Sequence, residues 1–213
     1  MALYALTVTI ANVSLPQMQG ALSATQDQIA LVVTFNIVAT AVATPLTGWL
    51  VARFGQRRVL LFCVTAFTIS TLFCGLAGSL EMLVTFRVFQ GLCGAPLAPL
   101  SQSIVLASYP LEKRGTATAI FGMGVVIGPL IAPTVGGYLS EEYSWRWVFF
   151  MIVPFGIASL LGCWAVVGDS VRGVRVRFDW TGFIALSVAV ACFQLLLDRG
   201  ERNSWFDSTE IVL

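Results

Sequence analysis

Arg87 stands inside an apolar run, in the stretch FRVFQGLCGAP over 86–96. It lies six residues past Glu81, about 9 Å into a helix that rises about 1.5 Å per residue. A guanidinium at the centre of a bilayer costs at least about 2.5–3.5 kcal/mol. Arg87, Gln90, Gly91, Gly94, Ala98, Ser101 and Gln102 recur at three- and four-residue spacing. That is one polar and small face, suited to an aqueous cavity. The competing reading is an arginine that snorkels to the outer headgroups. Asn36, Thr40, Thr44 and Thr47 form a similar stripe, which threonines bonding back to their own helix explain equally well. Thr9, Asn12 and Pro16 share a face of the first apolar segment. The candidate substrate contacts are therefore Asn12, Asn36, Thr40, Arg87, Gln90, Gly94, Ser101 and Gln102.

The elements that hold these residues follow from composition. The chain has 213 residues, of which 57% are hydrophobic and 11% charged. A soluble domain carries about 25% charged residues, so a membrane protein is expected. Apolar segments fall at 1–17, 28–50, 59–80, 82–106, 116–140, 147–168 and 180–197, with an eighth beginning near 209. They are too long, and alternate too little, for a β-barrel. The fold class expected is an all-α membrane protein. Both ends of the sequence read as cut, and the start lacks the basic region and cleavage site of a signal peptide.

Charge orients the bundle. The connections 51–58, 107–115 and 169–178 hold Arg53, Arg57, Arg58, Lys113, Arg114, Arg172, Arg175 and Arg177. The opposite connections hold Asp27, Glu81, Glu141, Glu142, Asp198, Glu201 and Asp207. The excess of basic residues places the first set in the cytoplasm. TGWLVARFGQRRVLL (47–61) aligns with GGYLSEEYSWRWVFF (136–150), pairing Gly48, Leu50, Arg57 and Val59 with Gly137, Leu139, Arg146 and Val148. One copy is cytoplasmic and the other lies on the far side. An inverted three-helix repeat, as in secondary transporters, is the expected plan.

The fifth segment carries Gly124, Gly128, Ala132 and Gly136 at four-residue spacing, beside Pro129 and Pro133. Small residues permit close helix contact, and the prolines permit a kink. The third and sixth segments carry no charge in their cores, which suits lipid-facing positions. Cys63, Cys74, Cys93, Cys163 and Cys192 all lie in apolar runs and form no CxxC pair. There is no histidine, and the single lysine, Lys113, is in a loop. A retinal protein, which needs a lysine in its last span, is excluded. No cluster of acids and no Ser/His pair points to an enzyme, a metal site or a bound cofactor. The net charge of +1 gives no basic surface for nucleic acid.

GWLVARFGQRR resembles the cytoplasmic loop motif of the major facilitator superfamily, FRVFQGLCGAP its fourth-span motif, and GPLIAPTVGGYL the fifth-span motif of its antiporters. TIANVSLP (9–16), WRWVFFMIVP (145–154) and LDRG (197–200) resemble the fourteen-span drug:proton antiporters of the EmrB/QacA type. The resemblance implies a six-helix N-terminal bundle over 1–168, a basic cytoplasmic linker at 169–178, and an extra central span with the start of the next over 179–213. It implies a conformational motif of Gly48, Arg53, Gly55, Arg57, Arg58, Gly124, Gly128, Pro129, Ala132, Gly136 and Gly137. The loop arginines would latch the two halves by pairing with acids and with helix C-termini.

Two departures matter. Ala52 stands where the loop motif carries an acid, and Thr7 where these antiporters often carry an aspartate. No acid lies in the middle of any span, so the coupling candidates are Arg87, Asp27, Glu81 and Asp198, with Asp179 also at a span end. The implied activity is export of hydrophobic or cationic compounds by alternating access, driven by the proton gradient without a cofactor. A metabolite facilitator or importer, and a chain inactive on its own, remain open. Implied partners are the lipid bilayer, a C-terminal helix bundle of the same protein and a periplasmic adaptor. The implied location is the bacterial inner membrane.

Overall fold

The computed structural model describes residues 1–168 and 178–200. Ten α-helices follow one another among the described residues: α1 Ala2–Val13, α2 Leu15–Ala21, α3 Gln26–Ala43, α4 Leu46–Phe54, α5 Gln56–Leu76, α6 Leu80–Gly94, α7 Leu97–Ser108, α8 Arg114–Glu142, α9 Trp145–Val166 and α10 Trp180–Gly200. The apolar segments predicted from sequence each correspond to helix. The first is divided at Ser14, and the second and fourth are each split in two, at Pro45 and at Pro96. Proline has no amide hydrogen and its ring crowds the preceding turn, so the chain bends there. The fifth is a single helix. α8 runs unbroken through Pro129 and Pro133, because the intact turns on either side span the missing bonds. The basic linker lies almost entirely outside the described residues, as does the segment from 209.

The helix starts on the far side share one device. Thr25 accepts a bond from the Gln28 amide in a reciprocal capping box. Ser79 accepts from the Met82 amide and Ser144 from the Arg146 amide. Each satisfies a donor that the helix leaves open at its N-terminus. At the turn between α4 and α5, Gly55 has φ 87°. A side chain there would be strained, which fixes glycine at this point of the loop motif.

Three helix pairs build the bundle. α1 lies parallel to α8. A Cβ at Gly128 would sit 2.8 Å from the Ala2 carbonyl oxygen, Gly136 faces Ile10, and the Ser14 and Ser140 hydroxyls share a buried hydrogen bond of 2.7 Å. α3 lies parallel to α6, crossing at Gly91 against Ala39 and Thr40. α5 lies antiparallel to α9, with Gly75 against Phe150 and Gly156 against Thr68. The repeat relates α1 to α6, α3 to α8 and α5 to α9. The first two pairs are thus images of each other, and the third maps onto itself. α5 is not wholly lipid-facing as expected. Phe62, Ile69, Phe73 and Leu76 are exposed, while Cys63, Phe67, Thr71 and Cys74 pack inward. α10 packs against α3.

The small-residue ladder is therefore uneven. Gly128, Ala132 and Gly136 are buried, whereas nothing lies within 4 Å of a Cβ at Gly124. Gly128→Ala should destabilise the detergent-purified protein by about 1–3 kcal/mol, since backbone cannot yield to the new methyl. Gly124→Ala should leave the melting temperature unchanged. Thermal unfolding of both variants checks this.

Candidate functional site

Arg87 lies on α6 and is fully buried. Neither sequence reading of it holds in this structure: it does not snorkel outward, and it does not open on a cavity. Its Nε donates to the Val32 carbonyl of α3 at 3.2 Å, and its Nη1 donates to Gln90 Oε1 one turn along α6. Gln90 Nε2 donates to the Thr71 hydroxyl of α5 at 2.6 Å, and that hydroxyl donates to the Phe67 carbonyl at 2.8 Å. Asn36 Nδ2 donates to the Arg87 carbonyl at 2.7 Å. Dipoles from three helices thus replace water around the charge, and among the described residues no carboxylate is a hydrogen-bond partner of it. Arg87 Nη2 and Asn36 Oδ1 are buried without a partner, so the site is not saturated.

Gly91 makes this possible. A Cβ there would fall within 3.1 Å of Ala39 Cβ and the Thr40 hydroxyl. Only glycine lets α3 approach closely enough for the Val32 and Asn36 bonds. Thr40 accepts from the Tyr4 hydroxyl of α1 at 3.1 Å, and its own hydroxyl lies 2.9 Å from the Asn36 carbonyl and 3.2 Å from that of Gly91. Gly94 is closed over by the Tyr4 ring. One polar network therefore joins α1, α3, α5 and α6.

Of the predicted contacts, the structure gathers Asn36, Thr40, Arg87, Gln90 and Gly94 into this enclosed network. Asn36, Arg87, Gln90 and Gly94 are buried in it rather than cavity-lining, because neighbouring helices and the Tyr4 ring close over them. Beyond the break at Pro96, Ser101 is half-buried and Gln102 exposed, and Asn12 is exposed on α1. Tyr4 and Thr71 are the members sequence reasoning missed. Thr71 sits one turn from Thr68 on a face shared with Phe67 and Cys74, a spacing that could have singled it out.

The coupling candidates are peripheral. Asp27 and Glu81 are exposed in the first turns of α3 and α6. The Asp198 side chain lies outside the described residues. Thr7 is buried and its hydroxyl donates to the Leu3 carbonyl at 2.7 Å. Asp179 caps α10. The Gly182 amide and then the Thr181 hydroxyl donate to it at 2.9 and 2.8 Å and hold its carboxyl below the usual range. It is a helix cap that stays ionised at neutral pH.

The loop-motif residues fall into two groups. Arg53 and Arg58 are exposed, and Gly48 and Gly137 face open space. Arg57 Nη2 donates to the Trp164 carbonyl in the last turn of α9 at 2.9 Å. Gly48, Trp49 and Ala52 line a groove of about 370 Å³ with Phe178, Phe183 and Leu186 at the start of α10. Trp49 packs edge-on against Phe178 at 4.9 Å. Asp179 lines the same groove, so an acid at 52 would face apolar rings and a second carboxylate.

The helices form an inverted-repeat bundle around a buried, dipole-solvated arginine. The sequence profile described as Major Facilitator Superfamily matches residues 1–197. The chain belongs to that family. It is 42% identical over 206 residues to the multidrug export protein EmrB of Haemophilus influenzae, covering 96% of this chain and 40% of EmrB. The EmrB of Escherichia coli strain K12 gives the same identity and coverage. The fatty acid resistance protein FarB of Neisseria gonorrhoeae is 40% identical over 208 residues, covering 97% of this chain and 41% of FarB. The chain thus spans about 40% of the length of these relatives. Its fold is that of solved transporters. A peptide transporter POT with sulfate superposes at TM-score 0.69 and 18% identity, over 99% of this chain and 47% of the other. A D-xylose–proton symporter superposes at 0.70 and 18%, over 93% of this chain and 51% of the other.

Arg87→Lys cannot reach both the Val32 carbonyl and Gln90 with one fork. We expect it to abolish transport in the full-length chain while membrane expression persists. Efflux assays with matched immunoblots check this, and normal efflux would make the guanidinium dispensable.

Proposed function

We propose that this chain is the N-terminal half of a proton-driven exporter of hydrophobic, often cationic, compounds in the bacterial inner membrane. The observation that carries the reading is the 42% identity, over nearly the whole chain, to proteins named for multidrug export. In this reading the first bundle supplies one wall of the central path and a fixed positive charge at Arg87. That charge lowers the energy of an anion nearby and raises that of a second cation, so it disfavours loading with a proton and a cationic drug together. With Thr7 and Ala52 in place of acids, the protonated group is a peripheral carboxylate, Asp27, Glu81 or Asp198, or belongs to the C-terminal bundle. The C-terminal bundle and a periplasmic adaptor are the proposed partners.

A second reading is export of fatty-acid-like amphiphiles, favoured by the 40% identity to FarB.

Inverted membrane vesicles carrying the full-length protein distinguish these. Uptake of a fluorescent lipophilic cation should require the pH gradient and stop when a protonophore collapses it. Uptake of a labelled fatty acid but not the cation supports the second reading. Cation uptake indifferent to the gradient contradicts proton coupling and favours a facilitator.

A further inference from the structure

Two arginines occupy equivalent places in the inverted repeat, and each closes the far end of the other's helix. Arg57, in the first turn of α5, donates from Nη2 to the Trp164 carbonyl near the end of α9 at 2.9 Å. Arg146, in the first turn of α9, donates from Nη2 to the Ala77 carbonyl that ends α5 at 3.0 Å. The donors are 89 positions apart and the acceptors 87, so the two contacts are counterparts in the repeat whose acceptors differ in register by two residues. The last carbonyls of a helix lack intrahelical partners and carry partial negative charge, which a guanidinium satisfies. Arg146 is further held over the Trp145 ring, 4.6 Å from its centre. Between the two ends, Gly75 sits against Phe150 and Gly156 against Thr68. The antiparallel pair is thus pinned at both membrane faces and closely packed between them.

We propose that Arg57 and Arg146 are positioning residues that hold α5 and α9 in one register throughout the transport cycle. The α5–α9 pair is then a fixed spine on which the α3–α6 pair docks through Gln90 and Thr71. Its function is to keep Thr71 opposite Gln90, and so to keep Arg87 in place. Arg57 thereby acts within its own bundle, alongside whatever the exposed Arg53 and Arg58 do between halves. The functional part of this inference rests on the transporter reading, whereas the register itself does not.

Spin labels test it in the full-length chain with native cysteines replaced. Arg58→Cys with Ala165→Cys reports the cytoplasmic end, and Gly78→Cys with Tyr143→Cys reports the outer end. Pulsed EPR distances should show one population at each end, unchanged by tetraphenylphosphonium or by a shift from alkaline to acid pH. Arg57→Ala should broaden the cytoplasmic distance and Arg146→Ala the outer one, with lysine at either position restoring a single population. In efflux, each alanine variant should lower the maximal rate by about tenfold, equivalent to about 1.4 kcal/mol, with apparent KM unchanged, and the double variant should be little worse than either single one. A second distance population in the unmutated staple, or alanine variants with unaltered distances, would overturn the proposal. Loss of efflux in every background with distances as expected would overturn the transporter reading and leave the staple standing.

Discussion

A positive charge that cannot reach water must be solvated by the protein, and the bundle is organised around that constraint. Arg87 is surrounded by the Val32 carbonyl and Gln90, with Gln90 held in turn by Thr71. Hydrogen bonds to charged groups are worth about 1.5–3 kcal/mol each, and leaving such a group unmet costs more. That energy sets helix positions. α3 must cross α6 at Gly91, and α5 must present Thr71. Tyr4 extends the network to α1 through Thr40. The three helix pairs are therefore not independent, because the pair carrying the charge leans on both others.

The inverted repeat supplies the geometry in which this works. α1–α8 and α3–α6 are parallel pairs related by the repeat. In one the close-approach glycine is Gly128 on α8, and in the other it is Gly91 on α6. Their roles are exchanged, as the sequence has diverged. The α1–α8 contact is closed by hydroxyls and small side chains, with the Ser14–Ser140 bond at one end. The α3–α6 contact holds the charge. Divergence between two equivalent pairs gives a symmetric scaffold one polar centre instead of two.

Much of this was legible in the sequence. Apolar length placed the helices, and the match of 47–61 with 136–150 disclosed the repeat. The bends at Pro45 and Pro96 were written in the prolines, although apolar length alone joined each pair of helices into one span. The environment of Arg87 was not legible. Periodicity put Arg87 and Gln90 on one face, but which helix covers that face depends on packing. The partners of Arg57 and Arg146 were hidden for a stricter reason. They are backbone carbonyls 107 and 69 residues away, and every residue type supplies a carbonyl. Sequence shows a cation at a helix start and not the helix end it closes.

The central claim is that Arg87 and Gln90 satisfy each other inside the bundle. A double-mutant cycle measures this directly, using Arg87→Met, Gln90→Leu and the double variant in thermal or denaturant unfolding of the purified full-length protein. The account predicts strong coupling: each single variant strands a buried polar group, and the double variant is more stable than the sum of the single losses implies, by about 1.5–3 kcal/mol. Additive losses would contradict it and return Arg87 to a solvated position.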